Sequence, residues 1–268
     1  MLPNDDQMNE DARLARLVGS LDFAEDARTC PPQVQALLGA LWRRRAENEL
    51  RTSEVFLQLH AELSRFPTPP RVLQLCADAI SDEVFHAKIC ARMAEHYGCQ
   101  PAPLAAPLPP RSPSFPVCSP RVHRALFAVL HCSVSETLAV TYLSACLAEA
   151  SSSLLRAVLK QILQDEVRHS RIGWAVLAAP ELSQADRSSI ARFMPALLDA
   201  CVAVWLADDA EYPAEPPPGH GFLDQRGIAT TVAAAIDGVI LPGLEHLGLD
   251  AEPARAWADA WSRRALPE

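Results

Sequence analysis

The chain has 268 residues, 49% of them hydrophobic, with only 10 glycines and a formal net charge of −9. That length supports a sizeable core, and the acidic balance argues against nucleic acid or anionic lipid, which select clustered Lys and Arg. Abundant Ala and Leu with few β-branched and aromatic residues predict an all-α chain.

Residues 1–31 open with "MLPNDDQMNED", a polar stretch with no apolar run. It reads as a loosely attached N-terminal extension with a short helix near 11–19, not a signal peptide. A long helix follows from Pro32. Its inward stripe runs Leu38, Trp42, Arg45, Glu49, Thr52, Phe56, Leu59 and Leu63, in steps of three and four. "PTPP" at 67–70 ends it, because proline cannot continue a helix and restricts its predecessor. A second helix runs from Pro70 to about Tyr97, with Gly98 as its stop. Its stripe is Val72, Cys76, Ala79, Glu83, His86, Cys90, Met93 and Tyr97.

The proline-rich segment "QPAPLAAPLPPRSPSFPVCSP" at 100–120 reads as a long crossover, not a linker, since neither half carries a complete core. The third helix covers about 120–149, with the stripe Val129, Cys132, Glu136, Ala139 and Leu143. "EASSS" at 149–153 makes a turn, and the fourth helix runs to about Ala178 through Leu155, Leu159, Ile162, Glu166, His169, Gly173 and Val176. Further helices are predicted at 186–207 and 225–246, and a short one near 253–264. Residues 32–180 thus form a four-helix unit, with 181–268 as additional C-terminal helices packed on the same domain. No apolar run reaches the roughly 18–20 residues of a membrane span. The eight cysteines form no C-x-x-C pair. Cys76, Cys90 and Cys132 read as small core residues. A soluble, cytoplasmic protein is expected.

Two stretches stand out: "SDEVFH" at 81–86 and "QDEVRH" at 164–169. In a helix, residues i and i+3 share a face. Glu83 therefore projects with His86, and Glu166 with His169, on stripes where Leu or Ala would be ordinary. The other two helices each place one acid on the stripe, Glu49 and Glu136. Glu54 matches the height of the other acids slightly better than Glu49, but shares a face with Glu47, Arg51 and Gln58, which reads as solvated. Short turns between helices bring these acids to similar heights, given about 1.5 Å rise per residue.

Four buried carboxylates are either protonated or have cations among them, since each uncompensated ion costs several kcal/mol. Two divalent ions would neutralise them, and carboxylate with imidazole suits iron or manganese. One Glu from each of two helices and Glu-x-x-His from each of two others is a known di-metal constellation of helical bundles.

At these residues the chain resembles the ferritin-like di-iron carboxylate family over about 33–180, in motif order, spacing and the long connection between helices two and three. The resemblance implies a ferritin-like four-helix bundle. Its metal ligands would be Glu49, Glu83, His86, Glu136, Glu166 and His169, with Glu83 and Glu166 bridging two iron ions, manganese or mixed Fe/Mn remaining open. "DEVRH" at 165–169 resembles the D-E-x-R-H signature of bacterial multicomponent hydroxylases. By that likeness Asp82 orients His169, Asp165 orients His86, and the Arg role falls to Arg168 alone, since the first copy has Phe85.

Among subfamilies, Cys90 stands where the ribonucleotide reductase small subunit carries its radical tyrosine, and the C-x-x-C domain of rubrerythrins is absent. The p-aminobenzoate N-oxygenase group is nearest in length and look, but Ile162 stands where it has an extra His. The resemblance implies an O2-dependent di-iron oxidase or oxygenase acting on a small-molecule substrate. An electron-donor protein is the expected partner, and a homodimer is the default state. Phe56, Cys132 and Tyr142 are expected to line the substrate pocket, and "PPPGHGF" at 216–222 to cap it. The alternative is a ferroxidase or metal-handling protein without organic substrate.

Overall fold

Proline and side-chain caps set the helix boundaries. Pro32 and Pro70 each occupy the first turn of a helix, where the missing N–H costs no hydrogen bond. Ser119, Ser152, Ser183 and Asp224 each accept a hydrogen bond from a first-turn amide of the helix they precede. Gly98, at φ 87°, ends the second long helix while the Cys99 amide donates back to Ala94 O at 3.0 Å.

The computed structural model describes residues 10–19, 30–105, 115, 118–206 and 212–266. Among them are eight helices and no strands: α1 (Glu10–Gly19), α2 (Pro32–Ser64), α3 (Pro70–His96), α4 (Pro120–Glu149), α5 (Ser153–Leu177), α6 (Gln184–Trp205), α7 (Gln225–His246) and α8 (Glu252–Ala265). Parts of the N-terminal extension and the middle of the proline-rich crossover lie outside the described residues.

α2 packs along α3, α3 against α5, and α5 against α4. One continuous apolar core joins these helices to α6, α7 and α8. Cys76, Cys90 and Cys132 are fully buried in it. The N-terminal extension is not simply loose: α1 packs on α3, with Leu14 and Leu17 against the core.

Two helices change register. Val129–Glu136 within α4 and Ile236–Ile240 within α7 are π-helical. In α7 the proline at 242 follows the wide turn directly, and proline supplies no N–H and crowds the carbonyl four residues back. In α4 no proline or glycine lies inside the wide segment. There, the register change accompanies close approach by α5 at Gly173.

Three helices, Pro120–Glu149, Gln184–Trp205 and Gln225–His246, are long and apolar enough to cross a membrane by length and composition. This corrects the expectation that no such segment exists. Counting uninterrupted apolar residues misses them, because Ser, Thr and Gly break a run without lowering its mean hydropathy much. In the first, 67% of the apolar window is buried within the protein, and that helix carries Glu136.

Candidate metal centre

Helical phase brings the six expected residues to one place. Glu49 comes from α2, Glu83 and His86 from α3, Glu136 from the last residue of the π-helical turn, and Glu166 and His169 from α5. One ligand atom from each of Glu49, Glu83, His86 and Glu166 lies within 4.8 Å of the others, and the same holds for Glu83, Glu136, Glu166 and His169. Glu83 and Glu166 belong to both groups. Glu54 belongs to neither. Glu49 is partly buried; the other five are buried.

Both imidazoles turn Nδ1 toward the acids and Nε2 away. His169 Nδ1 is 3.0 Å from Glu83 and 3.1 Å from Glu166, and His86 Nδ1 is 3.3 Å from Glu166. On the outer side, His86 Nε2 lies 3.1 Å from Asp165, and His169 Nε2 lies 3.3 Å from Asp82. Each aspartate thus serves the histidine of the other repeat. This leaves Nδ1 as the ligand atom and fixes the ring through Nε2. Arg168 Nη2 reaches both aspartates, at 2.9 Å from Asp82 and 2.6 Å from Asp165.

The surroundings push the titratable groups of the cluster in opposite directions. Burial, reinforced by the charges of Glu83 and Glu166, pushes the Glu49 carboxyl well above the usual range. Burial and Glu166 do the same to Glu136. Burial works to raise Glu166 too, but the hydrogen bond from His169 and the close approach of His86 more than offset it and hold it well below. Burial disfavours charge on both histidines. The hydrogen bond to Asp165 and the nearby Glu166 carboxylate for His86, and the hydrogen bonds to Asp82 and Glu166 for His169, prevail and raise both well above an ordinary imidazole.

The residues fit a pair of cations. Both oxygens of Glu83 and Nδ1 of His86 are buried with no hydrogen-bond partner of proper geometry, a costly state unless something else satisfies them. Four carboxylates and two imidazoles form an oxygen-rich, mixed donor set that could hold metal ions.

Beside the acids lies a cavity of about 590 Å³, lined by all four glutamates and by Arg45, Tyr142 and Phe222 among others. That volume lies within the usual range for small-molecule pockets. Tyr142 lines this cavity. Phe56 and Cys132 are not among the residues that line it. Phe56 is fully buried with its ring 5.2 Å from that of His169, and Cys132 is sealed in the core. Of the 216–222 loop, Phe222 contributes to the wall.

Two lining residues were missed as functional groups. Arg45 stacks within 4.7 Å of Trp42 and 4.6 Å of Phe222, and its Nη2 donates to Gly221 O at 3.0 Å. Its Nη1 is buried without a hydrogen-bond partner. Its place on the stripe of α2 was legible, but not its aromatic cage. His131, in the π-helical turn, is pushed down to about 4 by burial, so it offers the cavity a neutral imidazole. No family model, curated protein or solved structure matches the chain.

Proposed function

We propose that the chain is a ferritin-like four-helix di-metal protein that uses O2 to oxidise a small organic molecule. The single observation that carries this reading is the pair of four-ligand groups sharing Glu83 and Glu166 at the wall of a cavity of small-molecule size. Glu83 and Glu166, shared by both groups, would hold both ions; Glu49 and His86 on one side, and Glu136 and His169 on the other, would each hold one, the imidazoles through Nδ1. Bound there, two redox-active ions would supply the electrons and open coordination positions that O2 chemistry needs. Asp82 and Asp165 keep the imidazoles turned inward. Arg45, with one free nitrogen in an aromatic setting, suits a substrate bearing an acidic group. The cavity favours an organic substrate over iron storage. Eight free thiols fit a reducing cytoplasm.

Anaerobic Fe(II) loading followed by metal analysis tests this directly. We expect two irons per chain, O2 consumption after exposure to air, and no mineral core. Less than about one ion per chain ends the di-metal reading; steady mineral growth replaces it with ferroxidase activity.

The protonation pattern predicts a pH dependence. Glu49, Glu136, His86 and His169 all have raised values in the metal-free fold. A raised group adds stability that is complete below its unfolded value and is lost as pH rises through its folded value. The metal-free protein should therefore melt lower as pH rises above the ordinary imidazole value of 6.5. Metal affinity should rise over the same window, because ligands must shed protons to bind. Calorimetry in buffers of different ionisation enthalpy counts the released protons; zero release at pH 7 contradicts the assignment.

A further inference from the structure

The two Asp-Glu-Val-x-His repeats differ at one position, Phe85 against Arg168. The structure supplies the missing cation from elsewhere. Arg13 of α1 lies with its guanidinium 4.2 Å from the centroid of the Phe85 ring. From there Nη1 donates to Asp82 Oδ1 at 2.6 Å and Nη2 to Asp165 Oδ2 at 3.2 Å. Arg168 takes the opposite oxygens, Asp82 Oδ2 and Asp165 Oδ1. The aspartate pair is thus held by two guanidinium groups, one from the second repeat and one seated on the aromatic ring that replaces arginine in the first. The Arg13 side chain is 14% exposed and that of Arg168 41%, so Arg13 is the better shielded of the two, and ion pairs away from water lose less to screening.

We propose that Arg13 is a positioning residue of the candidate metal centre, holding Asp82 and Asp165 in place to accept from His169 and His86. Without it, Asp82 Oδ1 would lose its partner and half-exposed Arg168 would hold that carboxylate alone, while Asp165 would keep Arg168 and Gln161, whose Nε2 donates to Oδ2 at 3.1 Å. The outer hydrogen bonds of the imidazoles would loosen, that of His169 the more. α1 then fixes the geometry of ligands lying 73 and 156 positions further along the chain, at His86 and His169. The metal-binding consequence rests on the di-metal reading; the effect on the histidines does not.

The test uses the full chain as wild type, Arg13→Gln, Arg13→Lys and Leu17→Ala. Histidine-labelled protein without metal is followed by long-range proton–nitrogen correlation spectra, which report solvent exchange of the ring Nε2 protons. Arg13→Gln should speed exchange at His86 and His169 about tenfold or more. Arg13→Lys, which keeps the charge without the fork, should fall between wild type and Arg13→Gln. Leu17→Ala loosens the packing of α1 but keeps the guanidinium, and should melt lower with near wild-type exchange. In anaerobic Co(II) competition titrations, Arg13→Gln should weaken binding about 10–100-fold, as loss of an outer partner does in other metal sites. Unchanged exchange in Arg13→Gln, or equal acceleration in Leu17→Ala, overturns the proposal. A wild type that binds no Co(II) removes the di-metal reading, while the exchange rates still decide the role of Arg13.

Discussion

Glu83→Ala and Glu166→Ala should each lower the metal content after anaerobic iron loading from two ions per chain to less than one. The reason is topological: each carboxylate belongs to both four-ligand groups, so its loss leaves neither group complete. Glu49→Ala and Glu136→Ala remove a ligand from one group only and should retain about one ion. The metal-free folds need not suffer equally. Neither oxygen of Glu83 has a hydrogen-bond partner of proper geometry, so its removal thins a crowd of buried acids, but it also takes a carboxylate from 3.0 Å of His169 Nδ1. Metal-free Glu83→Ala should therefore melt closer to metal-free wild type than metal-free Glu166→Ala does. Glu166 is hydrogen-bonded by His169 and stands close to His86. Its removal leaves two raised imidazoles with less compensation, and metal-free Glu166→Ala should melt lower. Metal analysis beside thermal melts separates loss of a ligand from loss of the fold. If both variants keep two ions, the assignment of Glu83 and Glu166 as ligands of both ions is wrong.

What the sequence disclosed follows from the range of the forces involved. Helix ends are set by local chemistry, so Pro32, Pro70 and Gly98 were readable in place. The six candidate ligands were readable because helical phase is also local: an acid on an apolar stripe can be recognised without knowing what it faces. Arg13 was not readable. Its partners stand 69 and 152 residues away, and its own segment reads as a polar tail. The lining of the cavity beside the acids was not readable for a related reason. Phe56 and Cys132 share stripes with the ligands, and a stripe tells inward from outward. It does not tell which side of the acids the cavity opens on. The π-helical turn left no sequence mark either; it coincides with the close approach of α5 at Gly173.

That close approach makes Gly173 the second position of large expected effect. Gly173 stands one turn beyond His169 on α5. A Cβ built there would meet Ser133 Oγ at 2.3 Å, the Ser133 amide nitrogen at 2.6 Å and the Ala128 carbonyl at 2.8 Å. Two of these atoms are backbone at or beside the π-helical turn, so they cannot move aside without displacing the segment that ends in Glu136. Alanine is the better helix former by about 1 kcal/mol, yet overpacking at such a contact costs about 1–3 kcal/mol. We expect Gly173→Ala to melt several degrees lower and to lose one bound ion before the other, the first loss falling on the group containing Glu136. Gly238→Ala is the matched control, since nothing lies within 4 Å of its would-be Cβ and its φ is not positive; it should be neutral or slightly stabilising. If Gly173→Ala melts no lower than Gly238→Ala and holds both ions equally well, close approach of α5 is not what sets the position of Glu136.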